Sequence, residues 1–159
     1  MKVLFLNGSP RKDGHLATLL NIMREELEKH HEVEWVDAYD LEMANCTSCM
    51  ECRKTGECIL PRDDAHRVGE LLTQTDGVVV GTPTHWRNMS APLKLLFDRN
   101  AHRLIVESSK GIPKPRHKGK PAGILTTCTT PWPFNILFPE SRAAIRSVKY
   151  ILKMGGYKI

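Results

Sequence analysis

Apolar residues follow two rhythms along this chain. "KVLFL" (2–6) is a short unbroken run that stops at "NGSP", the pattern of a buried strand. From Gly14 the period lengthens: Leu16, Leu19, Leu20, Met23 and Leu27 share one helical face, and the charges of "REELEK" lie mostly on the other. "EVEWVD" (32–37) predicts a second strand. After a cysteine-rich segment, "DDAHRVGELLTQT" predicts a helix that Asp63 or Asp64 can cap and that Val68, Leu71 and Leu72 bury. "GVVVG" (77–81) is apolar at successive positions, as in a parallel strand covered on both faces. "SAPLKLLFDR" restarts a helix, with Ser90 as its cap and Pro92 in the tolerated first turn. "AGILTT" (122–127) is a fourth strand, and 139–154 a last helix with Ile145, Val148, Ile151 and Leu152 inward, stopped by Gly155 and Gly156.

Strand and helix alternate throughout, which predicts an α/β fold: an open parallel sheet with helices on both faces. Neither repeat nor linker divides the chain, so residues 1–159 read as one domain. "YKI" stands where a fifth strand would begin, so that strand reads as truncated, missing or supplied by another subunit.

Composition narrows the class. An apolar fraction of 41% with 26% charged residues fits a soluble globular protein. No apolar run has the length of a membrane span, and "MKVLFLNGS" is too short for a secretory signal. The expectation is a cytoplasmic chain without membrane partners, where clustered cysteines imply metal or redox chemistry rather than disulfides. The net charge of +5 raises nucleic acid as a partner. The basic cluster "KGIPKPRHKGKP" (110–121), however, is rich in Pro and Gly and has no interleaved aromatics for base stacking. It reads as a solvated loop, and nucleic acid is not expected.

In doubly wound folds, ligands bind beyond the carboxyl ends of the strands. The loop "NGSPRKDGH" (7–15) lies there, with backbone amides and the Ser9 hydroxyl at the positive end of a helix. Arg11 adds a forked donor for phosphate oxygens. The three spaced glycines of a dinucleotide fingerprint are missing, and Asp13 and Gly14 stand where a P-loop needs Gly and Lys. A single phosphomonoester remains. The loop after the third strand, "GTPTHWRNMSAPLKLLFDR" (81–99), offers Pro83 as a stiffener, backbone and flat side chains at 84–86 for a planar ring, and Asn88 as donor and acceptor.

With "GSPR..G", "C..C..C.....C....DD" and "TP..W.NM.APLK...DR" in this order, the chain resembles the flavodoxin-like NAD(P)H-dependent FMN reductases and their iron–sulfur flavoprotein relatives. The resemblance implies a flavodoxin-like sheet, tightly bound FMN, NAD(P)H as electron donor, and a homodimer or homotetramer that completes the flavin site. Position by position, Ser9 and Arg11 would hold the phosphate. Thr82, Pro83, Thr84, His85, Trp86, Arg87 and Asn88 would hold the isoalloxazine, with Thr127 on its other side. His15 joins this set where relatives often carry Asn. His85 stands where Tyr is common, and Arg87 where Gly is common, which moves the site towards an anionic donor or acceptor. No general base is named, because the cofactor carries the chemistry.

Cys46, Cys49 and Cys52 are spaced by three, and Cys58 follows. Such thiolates can grip the irons of one [4Fe–4S] cluster, but the same spacing is open to reduced structural thiols or to zinc. Cys128 lies outside the spacing. The leading function is therefore an FMN-dependent oxidoreductase passing hydride from a nicotinamide cofactor to FMN and on to a small-molecule or protein acceptor. An iron–sulfur flavoprotein shuttling electrons between proteins comes next, and a non-redox binding or regulatory module is the alternative of another class.

Overall fold

The structure, a computed structural model, describes residues 1–108 and 111–159. Lys110, the first residue of the basic loop, lies outside the described residues. Four strands, β1 (Lys2–Asn7), β2 (Glu32–Asp37), β3 (Gly77–Pro83) and β6 (Ala122–Thr127), form one parallel sheet in the order β2-β1-β3-β6. This is the flavodoxin-like order, and β1 and β3 at its centre are the apolar runs read from the sequence. The long helices are α1 (His15–Glu28), α3 (Asp64–Gln74), α4 (Ala91–Arg99) and α7 (Glu140–Met154). Among the described residues, no helix is long and apolar enough to cross a membrane.

The two faces of the sheet are covered unequally. Leu4, Leu6, Val78 and Val80 pack against Val68 and Leu72 of α3, Leu93, Leu96 and Phe97 of α4, and Val148 and Leu152 of α7. Val3, Phe5 and Val79 on the other face meet Leu16 and Leu20 of α1, with Trp35 stacked on Phe5 at 5.8 Å between centroids. One helix is narrower than this face. Leu19 and Met23, expected inward, are accordingly 44% and 37% exposed.

Several short elements interrupt the expected loops. A 3₁₀ turn spans Ala38–Asp40, and α2 (Glu51–Thr55) lies inside the cysteine segment. α5 (Ala101–Leu104) follows α4 directly, and α6 (Phe134–Leu137) precedes α7. The basic loop is partly a strand: β5 (Pro113–Pro115) pairs antiparallel with β4 (Ile105–Glu107). At the other end of the chain, Lys158 makes an isolated parallel bridge with Pro121. The Ala122 amide donates to the Lys158 carbonyl at 2.7 Å, and the Lys158 amide to the Lys120 carbonyl at 2.9 Å. Pairing thus starts where a fifth strand was expected.

Asp63, rather than Asp64, caps α3, accepting from the Ala65 amide at 3.1 Å. Ser90 occupies the cap position of α4 but makes no side-chain cap bond.

Candidate functional site

Asn7 ends β1 fully buried. Its Nδ2 donates to Asp37 Oδ1 at 2.7 Å, and its Oδ1 accepts from the Ser9 amide at 3.0 Å, which turns the chain sharply out of the sheet. Gly8 is required at the bend, because a Cβ there would lie 2.2 Å from Leu93 Cδ1. The Ser9 hydroxyl then closes the loop on itself, donating to the Arg11 carbonyl at 3.0 Å and accepting from the Arg11 amide at 3.1 Å. Gly14, at the cap of α1, offers no side chain to the first helical amides. Those amides and the positive end of the helix are left to an outside acceptor.

This turn forms one wall of a cleft of about 340 Å³ lined by Ser9, Arg11, His15, Pro83, Thr84, His85 and Thr127. The other wall is fixed by pairing across the strand ends: the Thr84 amide donates to the Thr127 carbonyl at 2.8 Å. Pro10, Gly14, Leu16, Cys128 and Thr129 line the cleft too, and the sequence reading did not assign them to the site.

The remaining candidates stand elsewhere. Thr82 is fully buried: its hydroxyl donates to the Pro83 carbonyl at 3.0 Å and accepts from the Ser90 amide at 3.0 Å. Asn88 Oδ1 accepts from the Met89 amide at 2.8 Å. His85 and Asn88 exchange backbone bonds of 2.9 Å each, so Trp86 and Arg87 form the tip of a two-residue hairpin. Both have positive φ, 49° and 64°, and Trp86 is 100% exposed. The ring-binding segment expected over 82–88 is therefore divided. Pro83, Thr84 and His85 face the cleft, and Trp86 and Arg87 project beyond it.

A second pocket, of about 310 Å³, gathers Cys46, Cys49, Cys52 and Cys58 with Arg53, Asp98 and Arg99. All five cysteines of the chain are free thiols. Burial, followed by the neighbouring Cys58, Cys46 and Cys49, pushes the Cys52 thiol above its ordinary pKa. Among the described residues, no three His, Cys, Asp or Glu side chains are drawn together around one metal ion. What the pocket offers is thiols distributed around its wall beside a buried cation, Arg99. That donor set fits a sulfur-rich cluster anchored at separate irons and bearing net negative charge.

The profile of the family described as NADPH-dependent FMN reductase matches residues 1–133. The chain belongs to this family. Among curated relatives of this FMN reductase family member, an "Iron-sulfur flavoprotein" of Archaeoglobus fulgidus is 40% identical over 101 residues, covering 63% of this chain and 49% of the relative. "Iron-sulfur flavoprotein CD630_04720" of Clostridioides difficile is 31% identical over 108 residues, covering 66% and 48%. The chain thus spans about half the length of the curated relatives it matches. Among solved structures, Smu.1420 from Streptococcus mutans superposes with a TM-score of 0.79 over 100% of this chain and 84% of that one, at 24% identity. At that identity the likeness concerns the fold.

For this FMN reductase family member, the ion pair of Arg99, which lines the cysteine pocket, with Asp63 escaped the sequence reading. Arg99 was read only as part of the "DR" that closes one motif, and Asp63 as a helix cap and part of the "DD" that closes the cysteine motif. Their pairing joins positions 36 residues apart, and no local pattern signals it.

Proposed function

We propose that residues 1–159 form the FMN-binding domain of an NAD(P)H-dependent oxidoreductase that also carries a [4Fe–4S] cluster at Cys46, Cys49, Cys52 and Cys58. The observation that carries this reading is the cleft at the carboxyl ends of β1, β3 and β6, where a phosphate-binding turn faces a proline-stiffened loop. Arg11 and the first amides of α1 bind the FMN phosphate, and Ser9 shapes the turn that presents them. Pro83, Thr84 and His85 border the isoalloxazine, with Thr127 opposite. Bound FMN supplies hydride acceptance and one-electron release, so no side chain is required as a general base. The cysteine pocket, read with the iron–sulfur flavoprotein relatives, gives electrons an exit to a small-molecule or protein acceptor. Reduced clustered thiols fit a cytoplasmic setting. A homodimer or homotetramer covers the open side of the flavin.

The phosphate assignment is tested by Arg11→Ala. Losing a charge-assisted contact weakens FMN by about 1.5–3 kcal/mol, while riboflavin, which lacks the phosphate, binds nearly as before. Equal weakening of both ligands in calorimetry would remove Arg11 from the site. Iron and sulfide analysis after anaerobic purification tests the cluster, with about four of each per chain expected.

A further inference from the structure

Arg99 ends α4 with only 3% of its surface exposed, and it lines the cysteine pocket. Its Nη1 donates to the Ala44 carbonyl at 2.7 Å and to Asp63 Oδ2 at 2.6 Å, and its Nη2 donates to Asp63 Oδ1 at 3.1 Å. Asp63 in turn accepts from the Ala44 amide at 3.0 Å. One ion pair therefore grips both backbone groups of Ala44, two residues upstream of Cys46. The downstream end of the cysteine segment is held from the same point. His66 Nδ1 accepts from the Asp63 amide at 3.1 Å, which leaves Nε2–H to face the Cys58 carbonyl at 3.4 Å. Cys58 lines the same pocket as Arg99.

One donor is left over. Arg99 Nε is buried and has no hydrogen-bond partner among the described residues. A guanidinium N–H sealed from water without an acceptor is costly, and such a group in a native fold calls for an explanation. The rest of the Arg99 side chain is tied to the base of the cysteine segment, beside thiols that would carry negative charge once they held iron.

We propose that Arg99, oriented by Asp63, is a positioning residue for the cluster: it pins both ends of the cysteine segment and sets a fixed buried cation and a spare N–H beside the cluster's sulfurs. The inference rests on the cluster reading above. One-electron reduction of a cluster held there would add one negative charge without a bond forming or breaking. A fixed cation nearby stabilises that reduced form more than the oxidised one, which raises the reduction potential. The fork on Asp63 and Ala44 needs a planar guanidinium, whereas the charge alone can come from an ammonium.

The test uses the whole protein, reconstituted anaerobically with iron and sulfide, as wild type, Arg99→Gln and Arg99→Lys. Bound iron, the rate of iron loss to a chelator, and the midpoint potential in a dye-mediated dithionite titration are measured. Trypsin cleavage after Arg53 and Lys54 in the iron-free proteins reports the segment itself. Arg99→Gln is expected to lose iron about 10–100-fold faster, to have a more negative potential, and to be cut faster when iron-free. Arg99→Lys is expected to restore the potential but not the retention. If Arg99→Gln fails to fold, Arg99→Lys decides alone: faster iron loss at unchanged potential supports the inference, and wild-type behaviour in both measurements overturns it. A Gln variant that loses only unfolding stability, with retention and potential unchanged, makes Arg99 merely structural and also overturns it. A wild type that takes up no iron overturns the cluster reading itself, a failure seen before any variant is compared.

Discussion

Asp63 accepts from Arg99 and from the Ala44 and Ala65 amides. Burial alone would raise its pKa, but Arg99 and the Ala44 amide more than offset this and hold the carboxyl at about 2, below its usual 3.8. The folded pKa lies below the unfolded one, so the contribution is complete above about pH 4 and is lost as pH falls through about 2. The size is about 2 kcal/mol. Urea unfolding of Asp63→Asn and wild type at neutral pH and at about pH 2 checks it: wild type should lose that much more than the variant. His102 acts in a higher window. Burial, then Arg103, holds its imidazole at about 4 against an ordinary 6.5, with Arg116 and His66 acting the same way and Glu57 opposing them. The unfolded chain takes a proton that the native state refuses, so stability falls between about pH 6.5 and 4 and is flat below. His102→Phe should flatten that slope. A slope unchanged in the variant would place the titrating group elsewhere.

The hairpin at Trp86 and Arg87 shows how an element can cost stability. Two-residue turns of this hand require positive φ at both central positions, and Asn and Gly are the residues that adopt it readily. Arg87 at φ 64° carries a Cβ that the left-handed region penalises by about 1–2 kcal/mol. Arg87→Gly should therefore raise the unfolding midpoint by about 0.5–1 kcal/mol equivalent, the glycine's extra unfolded-state entropy offsetting part of the gain. A lower midpoint would mean that the Arg87 side chain makes a stabilising contact. The same scale explains what the sequence disclosed. Apolar runs such as "GVVVG" are buried on both sides, so β1, β3 and the long helices were legible to within two residues. β4 and β5 were not, because Pro113 and Pro115 read as loop and the strands are short and largely exposed. α2 starts from Met50 at φ 63° with no side-chain cap, so no start signal precedes it. Of the sites, the contiguous parts were readable: the turn at 7–15 and the cysteine spacing. Groupings that depend on the tertiary fold, such as Cys128 and Ser9 lining one cleft or Arg99 bonded to Ala44, have no periodicity to reveal them.

At the scale of the whole molecule, the segment that follows the cleft wall in sequence carries several exposed apolar side chains. Cys128 and Thr129 line that cleft, and the chain then continues into "PWPFNILFP", where Trp132 is 76%, Phe134 50%, Leu137 68% and Phe138 58% exposed. Scattered single exposures are ordinary, but contiguous large apolar side chains mark an interaction surface. Leu19, Ile22 and Met23 of α1 form a second exposed apolar stretch, and neither it nor 132–138 lines the cleft itself. A second copy of the chain seated on 132–138 would cover these side chains, and the segment follows closely on Thr129 of the cleft wall. Closed pairing of like subunits makes such a surface self-complementary. Wild type is therefore expected to sediment as a dimer or tetramer. The exposed double variant Phe134→Glu/Leu137→Glu should sediment as a monomer with a normal far-ultraviolet spectrum and retain less FMN on dilution. Leu19→Glu, on α1, should leave both assembly and FMN unchanged. A wild type that sediments as a monomer while holding its full complement of FMN would show that one chain closes the site alone. Dissociation by Leu19→Glu, with the double variant still assembled, would move the contact to the α1 face.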